Sequence, residues 1–457
     1  MTGVLGMLDR KRTQARTILA VVALAFVFVA LPAIMSARAA VNIQEVRSDS
    51  GVTAWLVEDY SVPIVTISFN FEGGTSQDPA GKEGLANLMS GLFDEGAGEL
   101  EADAFQQTLD RAGAEMSFRA DRDAISGTMR MLAEKRDEAF GLLALALAQP
   151  RFDQAPTDRI RAQILSGIRA SERDPNTQAQ IEFAKALYGD HPYARRSEGT
   201  PESLAAIVPD DLKALHGRLF ARDNLRVAVV GAIDAETLRT ELDRLFGALP
   251  EKADLVAVPD VEPKLDQQVK EVYDLPQTNI HIAFPGVARD DPEFFAAYLM
   301  NHILGGGTFS SRLFDEVREK RGLAYGIGSG LSSSRHSNAL MIGTATNSER
   351  AGETLQIIRD VIRKMAEDGP TEAELEDARR YLIGAYAINN LDSSRAIVST
   401  LLGLQTENLG IDYIERRAGL IEAVTREQVA AAARRLLTVE PAVMLVGPDI
   451  ENGQSGG

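Results

Sequence analysis

The chain has 457 residues, 45% of them hydrophobic, which at about 100–200 residues per domain suffices for two to four domains with packed cores. It carries 66 acidic and 48 basic side chains, a formal net charge of −18, and no cysteine. The lack of thiols excludes disulfides, Cys-ligated zinc or iron–sulfur sites and a cysteine nucleophile. The negative charge argues against a general nucleic-acid binder, which needs Lys and Arg to neutralise phosphates. A protein or peptide partner is therefore expected.

Residues 1–39 have the pattern of a secretory signal peptide. Four basic residues within positions 10–16 precede an apolar or small run over 18–35, and Ala37-Arg38-Ala39 offers a cleavage site after Ala39. Because the run approaches the ~20 residues that span a bilayer, a retained membrane anchor is the alternative. Cleavage would remove five positive charges and Asp9, leaving a formal charge of −22. The pattern predicts a soluble periplasmic protein of a Gram-negative bacterium.

The first half of the mature chain begins with a strand pattern followed by a helix pattern. Apolar residues alternate with other residues from Val62 to Phe71, which predicts a half-buried strand that Gly73-Gly74 ends. An apolar stripe of helical spacing follows, from Leu85 to Phe93. Further helices are predicted near 102–111, 133–147, 155–172, 178–188, 209–220 and 234–246, and further strands near 115–131 and 225–231.

The second half repeats this order, which indicates an internal duplication. Gly447 lies 216 residues after Gly231, and Ile282-Ala283-Phe284 lies 215 residues after Ile67-Ser68-Phe69. The predicted strands are 279–284, 325–345 and 445–447, and the predicted helices are 292–304, 309–318, 350–366, 371–388, 393–408 and 425–436.

These elements predict an α+β fold with two homologous α/β-sandwich domains. Each domain should contain an antiparallel-rich sheet covered by helices, because strand pairs and long helices are mixed. The segment from Pro250 to Gln267 has the composition of a linker. The predicted domains are therefore 40–249 and 268–450, with a linker at 250–267 and a flexible tail at 451–457.

Two motifs resemble the M16 peptidases, the family of pitrilysin, insulinase and mitochondrial processing peptidase. Gly84 to Gly91 (GLANLMSG) is similar to the zinc-binding helix of that family, and Ser310 to Tyr325 (SSRLFDEVREKRGLAY) closely matches its C-terminal motif. The resemblance extends over about 42–450. It implies the M16/LuxS-like metallohydrolase fold in both domains.

The resemblance also implies that the zinc site is degenerate. In active members this helix carries H-x-x-E-H, where two histidines on one face bind Zn²⁺ and the Glu polarises the bound water. The corresponding residues are Asn87, Ser90 and Gly91, and the position of the third ligand falls at Gly167 or its neighbour Ser166. No two of the five histidines stand three or four residues apart. The resemblance therefore implies no metal in this chain and no proteolysis by this chain alone.

The second motif is intact. Arg318 and Tyr325 match the Arg and Tyr that in active relatives reach toward the zinc-bound substrate, which implies a role in binding substrate and stabilising its oxyanion. Gly305-Gly306-Gly307 precedes this motif. Its free N–H groups could receive a peptide group at a helix start. The alternative is a tight turn that Thr308 or Ser310 caps.

The resemblance implies a heterodimer in which a sister subunit holds the zinc. Short members of the family divide the active site in this way, so a zinc-binding M16 subunit and a peptide or unfolded polypeptide are the expected partners. Nucleic acid is not expected, and a membrane only if the N-terminal segment is retained. Two alternatives stay open: a structural role like that of the complex III core proteins, and a peptide-binding homodimer without hydrolysis.

Overall fold

The computed structural model describes residues 41–449. The predicted signal segment 1–39 and the predicted tail 451–457 lie outside the described residues. Within the described part of the chain, no helix combines the length and apolar composition that a membrane span requires.

The first sheet has six strands in the order β1-β2-β8-β3-β7-β6. All neighbours are antiparallel except β2 and β8. The strands are β1 (Gln44–Arg47), β2 (Thr53–Glu58), β3 (Ile64–Glu72), β6 (Glu115–Ala120), β7 (Ala124–Leu132) and β8 (Leu225–Gly231), and a separate small hairpin comprises β4 (Gly96–Ala97) and β5 (Leu100–Glu101).

The second sheet has five strands in the order β11-β12-β10-β13-β9. The strands are β9 (Gln268–Val272), β10 (Gln277–Pro285), β11 (Ala324–Ser334), β12 (Ser337–Asn347) and β13 (Ala442–Gly447). Read from β9, this order reproduces β2-β8-β3-β7-β6 of the first sheet, and β9 with β13 is again the single parallel pair. The predicted α+β fold and its duplication are therefore confirmed.

Two glycines at equivalent strand ends illustrate the duplication in atomic detail. Gly231 ends β8 with φ of 138°, and a Cβ atom there would lie 2.1 Å from the carbonyl oxygen of Ile64. Gly447 ends β13 with φ of 159°, and a Cβ atom there would lie 2.4 Å from Oγ1 of Thr278. Both positions require glycine because the neighbouring strand leaves no room for a side chain.

Helices cover both sheets. In the first half they are α1 (Leu85–Ser90), α2 (Ala102–Arg111), α3 (Arg136–Ala148), α4 (Gln154–Ser171), α5 (Pro175–Tyr188), α6 (Pro201–Ala205), α7 (Pro209–Leu219) and α8 (Ala235–Phe246). In the second half they are α9 (Phe294–Asn301), α10 (Arg312–Phe314), α11 (Ala351–Asp368), α12 (Glu372–Asn390), α13 (Ser394–Thr406), α14 (Tyr413–Glu422) and α15 (Arg426–Leu437).

The two halves exchange one helix each. Helix α5 packs Phe183 and Leu187 against Met444 and Val446 of β13, in the second sheet. Helix α13 lies in return on β3 and β8 of the first sheet, where Gln405 Nε2 donates to the carbonyl of Val227 at 2.8 Å. The exchange joins residues 43–449 into one compact unit.

Because of this exchange, β3 is more buried than the sequence pattern predicted. Its apolar residues enter the first core as predicted, but the opposite face is also buried. Helix α13 covers that face, and Asn70 Nδ2 donates to Oγ1 of Thr406 at 2.9 Å. The alternating pattern predicted a strand with one exposed face, because it carries no information about a helix from the other half.

The helices around the glycine-rich segment also differ from the prediction. Instead of helices over 292–304 and 309–318, α9 passes into a π-helical turn at His302–Gly306, a 3₁₀ turn covers Thr308–Ser310, and a second π-helical turn follows α10 at Asp315–Glu319. Thr308 has φ of 47°, which interrupts regular helix. The sequence pattern also missed β1, β2, β4, β5, β9, α6 and α14. Residues 247–267 contain no helix or strand, while the exact domain limits stay a prediction.

We predict that Phe183→Ala destabilises the whole molecule by about 3–5 kcal/mol, because it opens a cavity between α5 and the second sheet. Phe183 is 4% exposed. Thermal unfolding should remain a single transition at a lower temperature. The matched control is Gln180→Ala on the exposed face of α5. A separate early transition of one half, or no loss beyond the control, would contradict the coupling.

Candidate functional site

The degenerate motif forms a short helix that one buried carboxylate caps. Asp78 accepts the backbone N–H groups of Gly84 at 2.8 Å and Ala86 at 2.9 Å, and Gly84 adopts φ of 91° to begin α1. Burial raises the pKa of Asp78 to about 7, although these hydrogen bonds oppose the shift. The Asp78 side chain thus satisfies N–H groups at the start of this helix.

The residues at the ligand positions do not fit zinc. Ser90 Oγ donates to the carbonyl oxygen of Asn87 at 2.8 Å, and a Cβ atom at Gly91 would lie 3.0 Å from Cγ2 of Ile160 on α4. Gly167 lies on the same helix α4 and has no neighbour within 4 Å of a Cβ position. None of these residues, nor Ser166, supplies an imidazole or carboxylate. Within residues 41–449, no three His, Asp or Glu side chains converge in a possible metal site.

Two histidines near the motifs have structural contacts. His191 accepts the N–H of Tyr193 through Nδ1 at 3.1 Å, and its Nε2 lies 2.9 Å from the carbonyl oxygen of Pro259. His302 is buried, and its ring stacks on Tyr381 with centroids 5.1 Å apart. These contacts fit a turn and a packed helix, respectively.

The second motif places Arg318 among three aromatic rings. Its guanidinium carbon lies 4.8 Å from the ring centroid of Phe314, 5.2 Å from that of Tyr325 and 5.8 Å from that of Phe309. The nearest carboxylate oxygen, on Glu319, is 3.9 Å from Nε, beyond hydrogen-bond distance. Cation–π contacts therefore orient a guanidinium whose N–H donors remain available.

The rings on either side of Arg318 face solvent. Tyr325 is 89% exposed and Phe309 is 73% exposed, whereas Phe314 is buried. Tyr325 lies on the edge strand β11, where a register shift between Ala324 and Ile327 interrupts the pairing with β12. Large exposed aromatic groups beside an available cation are typical of an interaction site.

The glycine-rich segment is a compact turn below this cluster. A Cβ atom at Gly305 would lie 2.6 Å from Oγ of Ser329 on β11, so the close approach requires glycine. The N–H of Gly307 donates to the carbonyl of His302 at 2.8 Å and is not free for a ligand. Ser310 Oγ donates to the carbonyl of Gly307 at 3.1 Å, while Ser311 occupies the N-cap position of α10. These contacts favour the tight-turn interpretation.

A long-range ion pair anchors the segment that carries Arg318. Arg312 donates to both carboxylate oxygens of Glu374, each at 2.7 Å, and to the carbonyl of Gly369 at 2.9 Å. Glu374 also accepts the N–H of Thr371 at 2.7 Å in the capping box of α12. Partial burial raises the pKa of Glu374, but hydrogen bonds from Arg312 and Thr371 outweigh burial and lower it to about 2.

The structure brings Arg318 and Tyr325 together, and it places Asn87 and Ser90 on α1 and Gly91 directly after it. The side-chain contacts of Arg318 and Tyr325 among the described residues all lie in the second half. Sequence reasoning missed the rings of Phe309 and Phe314 and the anchor from Arg312. The capping-box spacing from Thr371 to Glu374 was the one local signal for that anchor.

Comparison with known proteins gives one consistent family. The model described as "Insulinase (Peptidase family M16)" matches residues 54–200, and that described as "Peptidase M16 inactive domain" matches residues 206–382. A crystal structure described as a peptidase M16 inactive domain from Pseudomonas fluorescens is 32% identical, with a TM-score of 0.83, covering 89% of this chain and 98% of that chain.

Two curated relatives carry contrasting descriptions. The "Non-peptidase homolog YmxG" of Helicobacter pylori is 27% identical over 347 residues, which is 75% of this chain and 79% of the relative. The "Uncharacterized zinc protease Mb2805c" of Mycobacterium bovis is 28% identical over 383 residues, which is 82% of this chain and 86% of the relative.

We predict that Gly91→His is destabilising by about 1–3 kcal/mol, because Ile160 occupies the space that a side chain would need. Adding Ile160→Ala should make the effect of Gly91→His smaller when measured against Ile160→Ala alone. Gly167→His is the matched control, since that position is open. Chemical denaturation of the variants would test this, and equal stability of the Gly91 and Gly167 variants would contradict it.

We predict that Glu374→Gln lowers the free energy of unfolding by about 1–3 kcal/mol at pH 7. Because folding depresses the pKa of Glu374, its stabilisation is present above about pH 4.5 and is lost as the pH falls toward 2. The difference between wild type and variant should therefore shrink between pH 7 and pH 3. The control is Glu372→Gln, an exposed carboxylate two residues earlier, at the start of α12. A difference independent of pH would contradict this assignment.

Proposed function

The chain belongs to the M16 peptidase family, and on that premise we propose that it is the non-zinc subunit of a heterodimeric M16 metallopeptidase. It would supply Arg318 and Tyr325 to a zinc site that a partner subunit holds. The observation that carries this proposal is the contrast between an available, aromatic-oriented guanidinium at Arg318 and the lack of ligand side chains at Asn87, Ser90 and Gly91.

The geometry around Arg318 suits the stabilisation of negative charge on a peptide carbonyl. Cation–π contacts fix the guanidinium without consuming its hydrogen-bond donors, so little order has to be imposed when a substrate binds. The phenol of Tyr325 has no side-chain hydrogen-bond partner among the described residues and is exposed beside Arg318. Two such donors would orient the scissile carbonyl and bind the developing oxyanion.

A zinc-bearing sister subunit is the partner that completes this chemistry. It would hold Zn²⁺ through H-x-x-E-H and activate the attacking water, while this chain positions the substrate. The exposed rings of Phe309 and Tyr325 give the substrate or the sister subunit an apolar surface beside Arg318. Peptides or unfolded segments are the substrates proposed, because a chamber between two subunits admits flexible chains.

The predicted signal peptide at residues 1–39 supports the periplasm as the place where the protein acts. Retention of that segment would instead anchor the protein to the inner membrane. The mature charge of −22 would favour basic segments among the substrates.

A non-catalytic role, structural or peptide-binding, is the second candidate. It is supported by the descriptions of two relatives, the M16 inactive domain of P. fluorescens and the non-peptidase homologue of H. pylori. A scaffold has no need for the available donors of Arg318 and Tyr325, which is the reason for placing it second.

We predict that peptide hydrolysis by the reconstituted heterodimer falls by about 10²–10³-fold in kcat for Arg318→Ala, and by a smaller factor for Tyr325→Phe. The reason is the loss of one preorganised donor at the oxyanion. Turnover of a fluorogenic peptide by this chain mixed with a zinc-bearing M16 sister would measure it. Lys320→Ala is the matched control, a cation in the same segment that pairs with Asp315 and Glu316.

Assembly and zinc content separate the catalytic role from a structural one. Size-exclusion chromatography should give the same heterodimer for wild type and Arg318→Ala, and metal analysis should give unchanged zinc in the sister. Unchanged turnover by Arg318→Ala would refute its assigned role. The proposal as a whole would be overturned if this chain bound one zinc ion tightly and cleaved peptides without any sister subunit.

A further inference from the structure

A cleft of about 510 Å³ lies between the two halves, away from both motifs. The first half contributes β2, the start of β8 and the segments that precede these two strands, and the second half contributes the end of α13 and the turn after it. Its lining residues are Gly51, Thr53, Trp55, Arg222, Asp223, Leu225, Arg226, Leu404, Gln405, Asn408 and Gly410. Its size is that of a small-molecule site.

Two arginines give the cleft its chemistry. Within residues 41–449, neither Arg222 nor Arg226 has a carboxylate partner. Arg222 donates through Nη1 to the carbonyl of Ser50 at 2.8 Å, and Arg226 donates through Nη1 to the carbonyl of Leu225 at 3.1 Å. The chain is acidic overall, yet two guanidinium groups without a carboxylate partner face one cleft. This arrangement favours the binding of an anion.

One buried donor in the cleft remains unsatisfied. The Nε atom of Arg222 is buried and has no hydrogen-bond partner among the described residues. A buried N–H without an acceptor is destabilising, and an acceptor atom on a bound ligand would satisfy it. Asp223 is the acidic residue of the lining, and its Oδ1 accepts the N–H of Ala253 at 2.9 Å. The lining therefore carries a net positive charge.

The rest of the lining is apolar or neutral. Trp55 pairs with Ala228 on β8, and Ala228 lies two residues after Arg226. Because side chains alternate along a strand, Trp55 and Arg226 lie on the same face of the first sheet. Leu404 extends this apolar wall. Gln405 and Asn408 from the second half add amide groups, and Asn408 has φ of 52° at the end of α13. A ligand here needs an anionic head for the arginines and a flat or apolar body for the indole.

We propose that this cleft binds a small carboxylate or phosphate carried on an apolar or aromatic group. Guanidinium groups bind both oxyanions through paired N–H donors, so the two head groups share one recognition chemistry. Because the lining comes from both halves, the bound ligand bridges them and stabilises the folded chain. This site is separate from Arg318 and Tyr325 and does not depend on the proposed peptidase role.

Trp55 makes the proposal directly measurable, because it is the only tryptophan in the chain. Titration with phenyl phosphate and with benzoate at constant ionic strength should give a saturable change in tryptophan emission and a rise in Tm. The neutral isostere benzamide should give neither. A stronger response to benzoate identifies a carboxylate ligand, and a stronger response to phenyl phosphate identifies a phosphate ligand.

Variants test the role of the arginines. Arg226→Gln should weaken binding by about tenfold or more, the effect of losing one charged hydrogen-bond donor. Arg130→Gln is the matched control, an exposed arginine in the same sheet that does not line the cleft. Asn408→Asp adds a carboxylate at an exposed position of the lining, so it should weaken binding without disturbing the core. It keeps the test valid if Arg226→Gln does not fold.

Three results would overturn the proposal. The first is no change in emission or Tm at millimolar phenyl phosphate and benzoate. The second is an equal response to benzamide, which would indicate apolar binding alone. The third is unchanged affinity in both Arg226→Gln and Asn408→Asp.

Discussion

The exchange of α5 and α13 is the contact on which the rest of the molecule depends. Each helix covers the sheet of the opposite half, with Phe183 packed against β13 and Gln405 bonded to Val227 on β8. Neither sheet can bury both faces with the helices of its own half. The two halves therefore form one body, and the second motif is held in a fixed relation to the degenerate helix.

The degenerate helix persists because it is a packing element. Leu85, Leu88 and Met89 of α1 are buried in the first core, and Asp78 satisfies its N-terminal N–H groups. These contacts do not depend on the side chains of Asn87, Ser90 or Gly91. In the second half, the Arg312–Glu374 ion pair anchors the segment that carries Arg318. Three aromatic rings contact the Arg318 guanidinium.

Periodicity predicted most strands and helices, and the offset between Gly231 and Gly447 predicted the duplication. It could not predict which surface each amphipathic helix covers, since α5 carries the same pattern whether it lies on its own sheet or on the other. No periodic pattern of apolar residues predicts the π-helical turns around Gly305 and Arg318. The motif identified Arg318 and Tyr325, but the ring of Phe309 and the partner of Arg312, 62 residues away, depend on tertiary contacts.

The exchange of helices also sets an order of events during synthesis. Helix α5 ends at Tyr188, whereas the strand that covers its apolar side begins at Ala442, more than 250 residues later. A chain that emerges from its N-terminus must carry Phe183 and Leu187 without their full cover until the last strand is made. The N-terminal half therefore cannot finish folding on its own. A truncated product would expose an apolar surface that chaperones or proteases recognise.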